Sequence, residues 1–317
     1  MKKVLVLGAS GFIGSHLVAA LQRQEWARPV AAARRPIMIP GVETVTLDAC
    51  DPSALKQALK GVDAVINCVT GNAANIVAGA KALAEAAAAQ PGLRVVHFSS
   101  MAVYGSAVGR LDEHAPLKGD IGWYSAAKCD AERELAVCPD LVVLRPGCVY
   151  GPGSDQWVGR IGRLLYARRI GDLGAQGDAC SNLVYIGDVT AVVLAALQRV
   201  TTGKHVYNLA GQPDERWNQY FIALGVALGA TPVRRIGRIR LLLDAKLWSV
   251  GFKVLQMVFA RLKLSSISIP DPISPSLLNV WCQDICLDAT AVAEDLGISW
   301  LPLDEGIKAS ADWLLGY

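Results

Sequence analysis

The chain has 317 residues, 52% of them apolar, and 31 Lys and Arg against 28 Asp and Glu give a formal net charge of +3. That length makes one large or two modest domains with a sizeable buried core. So small a positive charge, with no basic patch interleaved with aromatics, argues against nucleic acid as a partner. Eight scattered cysteines (Cys50, Cys68, Cys129, Cys138, Cys148, Cys180, Cys282 and Cys286) read as reduced, buried thiols in a reducing, cytoplasmic setting. Four histidines (His16, His97, His114 and His205) without ligand spacing give no metal site. The apolar run Val4–Leu7 is too short for a secretory signal and reads as a first strand. No run is long enough to span a membrane as a helix.

In chain order, short β-branched runs alternate with Ala/Leu-rich helical stretches. Strands are expected at Lys3–Leu7, Pro29–Ala33, Glu43–Leu47, Ala64–Cys68, Leu93–Phe98 and Leu141–Arg145. Helices are expected near Ile13–Gln24, Pro52–Lys60, Ala73–Gln90 and Trp123–Val137. This alternation predicts an α/β fold with a doubly wound parallel sheet of Rossmann type, its continuously apolar strands covered on both faces. After residue 153 the alternation weakens. A helix at Val189–Gln198 and a strand in "KHVYNLAG" (204–211) return to the sheet, and the tail from Gln212 is helical with Pro breaks. The expected division is therefore a dinucleotide-binding domain over 1–150 plus about 185–211. A smaller, mostly helical substrate domain takes about 151–184 plus 212–317.

"GASGFIG" (8–14) follows the first strand and opens a helix. Gly8, Gly11 and Gly14 permit a tight turn and close approach of backbone to a pyrophosphate, which the helix N-terminus then faces. Ser10, Phe12 and Ile13 belong to the same cofactor-binding stretch. The second strand ends in "AAARRP", where Arg34 and Arg35 stand in place of an acidic ribose ligand and favour NADP(H) over NAD(H). A pair of solvated loop arginines is the other reading. Asp48, with Ala49 beside it in "TLDACD", is placed to meet the adenine, unless it caps the next helix; Asp51 is at least as good a cap. "YSAAK" (124–128) sets Tyr124 and Lys128 one helical turn apart, where the ammonium would lower the tyrosine pKa and tune a proton donor and acceptor. An exposed aromatic beside a solvated lysine is the plainer alternative.

Four of these motifs, "GASGFIG", "FSSMAVYG" (98–105), "YSAAK" and "RPGCVYGPG" (145–153), stand in the order and approximate spacing of extended short-chain dehydrogenases/reductases. These are also called the NAD-dependent epimerase/dehydratase family. The chain resembles that family over about residues 1–211. Its tail, "DATAVAEDLGISWLPLDEGIKASADWL", is similar to the family's closing segment. The resemblance implies a Ser100–Tyr124–Lys128 triad, with Ser100 preferred over Ser99 as the orienting hydroxyl. Tyr124 would exchange the proton, and Lys128 would tune it and bind the nicotinamide ribose. Pro146 and Gly147 would lie beside the nicotinamide. A homodimer through the helix bearing Tyr124 and its neighbour is also implied.

Departures from the family pattern narrow the reaction. Met101 and Ala102 stand where dehydratases of the family carry acids, which disfavours elimination. Cys148 and Ser181 stand where sugar-nucleotide epimerases tend to carry Asn and Arg. Arg160, Arg163, Arg168 and Arg169 either compensate for these losses or form a solvated helix face. What is left resembles reductases acting on a ketone or secondary alcohol of a fairly apolar small molecule. An epimerase using bound NAD+ is the alternative, supported by "LDEHAPL" (111–117); a non-catalytic dinucleotide-binding regulator is remote. Leu241–Ala260 reads as a helix with a broad apolar face, its polar positions at Lys246, Ser249, Lys253 and Gln256, flanked by Arg234, Arg235, Arg238, Arg240, Arg261 and Lys263. It is a cap over an apolar substrate, a helix lying on an anionic membrane surface, or an ordinary core-facing helix.

Overall fold

A computed structural model describes residues 1–199, 201–248 and 271–316. The described chain forms two compact units. One comprises Met1–Gly147, Ile186–Ala210 and Leu287–Trp300, the other Cys148–Tyr185, Gly211–Cys286 and Leu301–Tyr317. Placing Leu287–Trp300 in the first unit departs from the expected division. The helix Thr290–Leu296 packs on the strand Lys204–Leu209 and the helix Ile186–Arg199, contacts between segments too distant in sequence to be read from local pattern.

The first unit is an α/β layer structure. Its seven strands are β1 (Lys2–Leu7), β2 (Ala27–Ala33), β3 (Glu43–Thr46), β4 (Ala64–Asn67), β5 (Arg94–Phe98), β6 (Leu141–Pro146) and β7 (Lys204–Leu209). They lie in the order β7-β6-β5-β4-β1-β2-β3 and every neighbouring pair is parallel. The helices are α1 (Phe12–Gln22), α2 (Pro52–Ala58), α3 (Ala73–Ala88), α4 (Trp123–Leu135) and α5 (Ile186–Arg199). Leu5, Leu7, Val65, Val95 and Val143 of the sheet share one buried cluster with Leu55 of α2, Leu83 of α3 and Ala131 of α4. Ala is the dominant residue of α3, and its small side chains let that helix lie close to α4.

Register places the chemistry. Leu7 pairs with Asn67 across β1 and β4, Asn67 with His97 across β4 and β5, and Phe98 with Leu144 across β5 and β6. The strands therefore end at one edge. The residues that follow them, Gly8, Cys68, Ser99–Ser100 and Gly147, gather at the carboxyl edge where open α/β sheets bind ligands.

The second unit has a short parallel pair, Cys148–Tyr150 with Leu183–Tyr185. An aromatic cluster of Trp217, Tyr220, Phe221 and Trp281, all fully buried, forms part of its core. Cys180 and Cys286 form a disulfide with a Cα–Cα distance of 5.3 Å, which corrects the all-thiol expectation. The two residues are 106 positions apart, so sequence spacing gave no hint of it. Cys282 is exposed and Cys50 and Cys68 are half-buried, so the remaining thiols are not all buried either. Asp214 brings a carboxylate within 4.8 Å of both disulfide sulfurs, but sulfurs bonded to each other are not thiolate ligands.

The four arginines of residues 160–169 are neither an anion site nor a simply solvated face. Arg163 bridges Asp155 and Asp271, Arg169 pairs with Asp244, and Arg160 donates to the Pro272 carbonyl. Arg163 and Arg168 are exposed, and Arg168 has a left-handed backbone. No helix among the described residues is long and apolar enough to cross a membrane. Of the expected helix 241–260, the structure describes Leu241–Trp248; Ser249, Lys253 and Gln256, and likewise Arg261 and Lys263, lie outside the described residues.

Candidate active site

The turn after β1 is built for a close-approaching ligand. Gly8 has φ +79°, and a Cβ there would sit 3.0 Å from the Cys68 carbonyl oxygen. A Cβ on Gly14 would lie 2.3 Å from the Gly8 carbonyl oxygen, so only glycine lets α1 start this near the strand end. The Gly11 N–H donates to the Gly8 carbonyl and Gly11 is the N-cap of α1. It offers no side-chain acceptor, and the first turn carries no acidic residue. The amide donors and positive end of the helix dipole are thus left to an anion.

A cavity of about 240 Å³ opens beside this turn. Gly8, Ser10, Gly11, Arg34, Asp48 and Ala49 line it. Cys50, Cys68, Val69, Thr70 and Asn75 also line it, and sequence reasoning did not single them out. Arg35 is exposed outside the wall, and Phe12, Ile13, Gly14, Pro146 and Gly147 do not line it. Asp51, not Asp48, caps α2, accepting from the Ser53 and Ala54 N–H groups. Asp48 instead accepts from Cys50 N at 3.0 Å and faces the cavity. Gly147 donates to the Leu209 carbonyl and Pro146 ends β6, so both serve the sheet edge.

Ser100, Tyr124 and Lys128 come together at the end of β5. Ser100 accepts from Ala102 N–H, and its side chain stands near enough to Tyr124 to bear on the phenol. Lys128 Nζ lies 5.9 Å from the Tyr124 ring centroid and donates to the Phe98 carbonyl at 2.7 Å. Burial holds the Lys128 ammonium down to about 8, against the opposing pull of Cys68 and Glu132. Cys68 also lines the cavity. Burial also pushes the Tyr124 phenol up, with the neighbouring Ser100 hydroxyl working the other way. A tyrosine lowered by its lysine is therefore not what the structure shows. The ammonium is turned toward a backbone carbonyl, and desolvation outweighs charge. His97, buried and held neutral by desolvation, meets Asn67 Nδ2 at 3.2 Å beneath the site.

Ser99 is held elsewhere. Its Oγ donates to Glu132 Oε1 at 2.5 Å. Arg145 clamps the same carboxylate through Nε at 3.0 Å and Nη2 at 2.8 Å. Arg145 Nη1 donates to Tyr104 Oη and to the Glu113 carbonyl, and Tyr104 donates to Asn208 Oδ1 at 2.6 Å. This buried network ties α4, the Ser99–Ser100 turn, β6 and β7 together. Sequence reading missed it, although Glu132 lies one turn past Lys128 on the same helix and Arg145 opens "RPG". Glu113 of "LDEHAPL" accepts from the Asn208 N–H at 2.8 Å, which gives that segment a structural role in the sheet unit.

A parallel sheet with a glycine turn at a helix N-terminus is the Rossmann arrangement of dinucleotide-binding proteins, and the Tyr/Lys pair stands at the same sheet edge. The model of the NAD dependent epimerase/dehydratase family matches residues 4–210, and the chain belongs to that family. It is 32% identical over 170 residues to "Ceramide reductase" of Caulobacter vibrioides, covering 49% of each chain, so it spans about half the length of that relative. It is 28% identical over 275 residues to "2-alkyl-3-oxoalkanoate reductase" of Stenotrophomonas maltophilia, covering 75% of this chain and 82% of that one. Among solved structures, UDP-glucuronic acid 4-epimerase from Bacillus cereus in complex with UDP-glucuronic acid and NAD superposes with a TM-score of 0.73. Its identity is 19%, with 99% of both chains covered, a likeness of fold.

Proposed function

We propose that the protein is an NADP(H)-dependent reductase or dehydrogenase of a ketone or secondary alcohol on a fairly apolar small molecule. The observation that carries the proposal is the buried Lys128 5.9 Å from the Tyr124 ring, with Ser100 beside them, at the sheet edge that also presents the glycine turn. When bound, the nicotinamide supplies or accepts hydride at the substrate carbon. The rest of the step belongs to this chain. Ser100 orients the substrate oxygen, and Tyr124 gives it a proton in reduction or takes one in oxidation. Lys128, its ammonium anchored on the Phe98 carbonyl, binds the nicotinamide ribose beside the tyrosine. Gly8, Ser10, Gly11 and the N-terminus of α1 hold the pyrophosphate, with Phe12, Ile13 and Gly14 shaping that turn. Asp48 and Ala49 face the adenosine, and Pro146 and Gly147 the nicotinamide end. Arg34, which lines the cavity, meets the 2′-phosphate in this reading, with Arg35 its exposed neighbour.

Apolar substrates are supported by the names of the two reductase relatives. They are further supported by the uncharged, buried Cys148 and Ser181 at positions where sugar-nucleotide epimerases tend to carry polar or charged anion ligands. The fold likeness to an NAD-bound epimerase favours a second reading, an epimerase with retained NAD+. A cytoplasmic homodimer completes the proposal.

The test is to denature purified protein and identify any released nucleotide, then titrate wild type and Tyr124→Phe with NADPH and NADH. The proposal expects NADPH to bind more tightly. It expects Tyr124→Phe to keep that affinity while turnover of long-chain ketones falls by at least about a hundredfold. Tightly retained NAD+ would move the assignment to the epimerase, and unchanged turnover in Tyr124→Phe would remove the catalytic reading.

A further inference from the structure

The second unit carries a surface that the proposed reaction does not use. It is the segment Val233–Lys246, "VRRIGRIRLLLDAK". Arg234, Arg235, Arg238, Arg240 and Lys246 are all exposed. Between them, on the helical turn Arg238–Leu243, Ile239 is 74% and Leu243 47% exposed. Leu241 and Ala245 of the same segment point into the core. The turn is thus apolar on its inner side, as packing requires, and apolar again at Ile239 and Leu243, one turn apart on its outer side, where a helix facing water carries polar residues. Arg238, Ile239, Arg240 and Leu243 line one open cavity of about 840 Å³. The nearby acids neutralise the patch only in part: Asp244 is committed to Arg169, and Asp172 pairs with Arg235 at 3.9 Å, while Arg234, Arg238 and Arg240 remain exposed. Arg240 reaches the Arg168 carbonyl, which brings a further exposed arginine to the same area.

We propose that this face docks on an anionic lipid bilayer. Guanidiniums meet lipid phosphates, and Ile239 and Leu243 enter the boundary between headgroups and acyl chains. Positive charge alone would suit any acidic partner. Two exposed aliphatic side chains set among arginines fit a surface that is anionic outside and hydrocarbon just beneath. The inference concerns binding and does not depend on the reductase assignment, although an apolar substrate held in a membrane would make the docking useful.

The experiment is co-sedimentation of the full chain with vesicles of phosphatidylcholine alone, or of phosphatidylcholine mixed with phosphatidylglycerol, over a salt series. Two variants accompany wild type, Arg234→Glu/Arg235→Glu/Arg238→Glu and Ile239→Ser/Leu243→Ser, each checked for native circular dichroism. The expected result is binding to the mixed vesicles only and its loss at high salt. The charge-reversed protein should bind at least about tenfold more weakly, and the serine variant should bind measurably more weakly. Absence of binding to mixed vesicles, or binding insensitive to salt, overturns the proposal on wild type alone. Retention on polyglutamate as strong as on vesicles, with no effect of the serine variant, would assign the patch to an acidic protein instead and overturn it equally.

Discussion

Replacing Glu132 with Gln probes the buried network behind the candidate triad. The change keeps side-chain volume and removes one charge. Arg145 then remains buried, at 5% exposure, with no counter-ion for the two donors that now clamp the carboxylate. The amide nitrogen of Gln would also oppose Arg145 or Ser99 as a donor facing a donor. Breaking a buried pair by removing one partner costs about 3–5 kcal/mol, since an uncompensated charge stays in the interior. At ~2–4 °C per kcal/mol for chains of this order, the melting temperature falls by roughly 10 °C. The Asp130–Arg133 pair on the same helix is the control: its side chains are 48% and 66% exposed, so Asp130→Asn should cost less than about 1 kcal/mol. Unfolding by urea and by heat, followed by circular dichroism at constant pH, measures both. A Glu132→Gln/Arg145→Met double variant should recover part of the loss, because the stranded charge is gone. If Glu132→Gln proves no more costly than Asp130→Asn, the network is not what holds the Ser99–Ser100 turn against α4.

Gly14→Ala should abolish dinucleotide binding, because its Cβ would meet the Gly8 backbone oxygen at 2.3 Å; titration with unchanged NADPH affinity would contradict that geometry. Lys128 gives a pH signature. Its pKa in the fold is about 8 against 10.5 for the free side chain, so below pH 8 the fold bears the full cost of a buried cation, about 3 kcal/mol at most. Between pH 8 and 10.5 the unfolded chain binds a proton that the folded chain has released, so wild type should gain stability relative to Lys128→Met as pH rises through that window. A constant difference would show that the ammonium is well solvated. Arg34→Glu should reverse cofactor choice, lowering NADPH affinity by more than tenfold while sparing NADH; equal loss of both would place Arg34 outside the 2′-phosphate site.

The alternating strands and helices of the sheet unit are legible in the sequence because apolar period and glycine placement are local properties of the chain. So is the glycine turn: three glycines between a strand and a helix have few other uses. The spacing of Tyr124 and Lys128 is equally local, but its consequence is not. The carbonyl that accepts the Lys128 hydrogen bond belongs to Phe98, thirty residues away, and the burial that raises Tyr124 comes from packing that no spacing encodes. The same holds for Ser99 and Ser100. Adjacent in sequence, they part company only because Glu132, anchored by Arg145 from another strand, captures the Ser99 hydroxyl and leaves that of Ser100 on the Tyr124 side. The Cys180–Cys286 bridge and the transfer of Leu287–Trp300 to the sheet unit are long-range contacts of the same kind. Local pattern determined which elements form and where the phosphate turn lies. Only the tertiary structure decided which charges are buried together, because desolvation and pairing depend on neighbours that the chain brings in from far along its length.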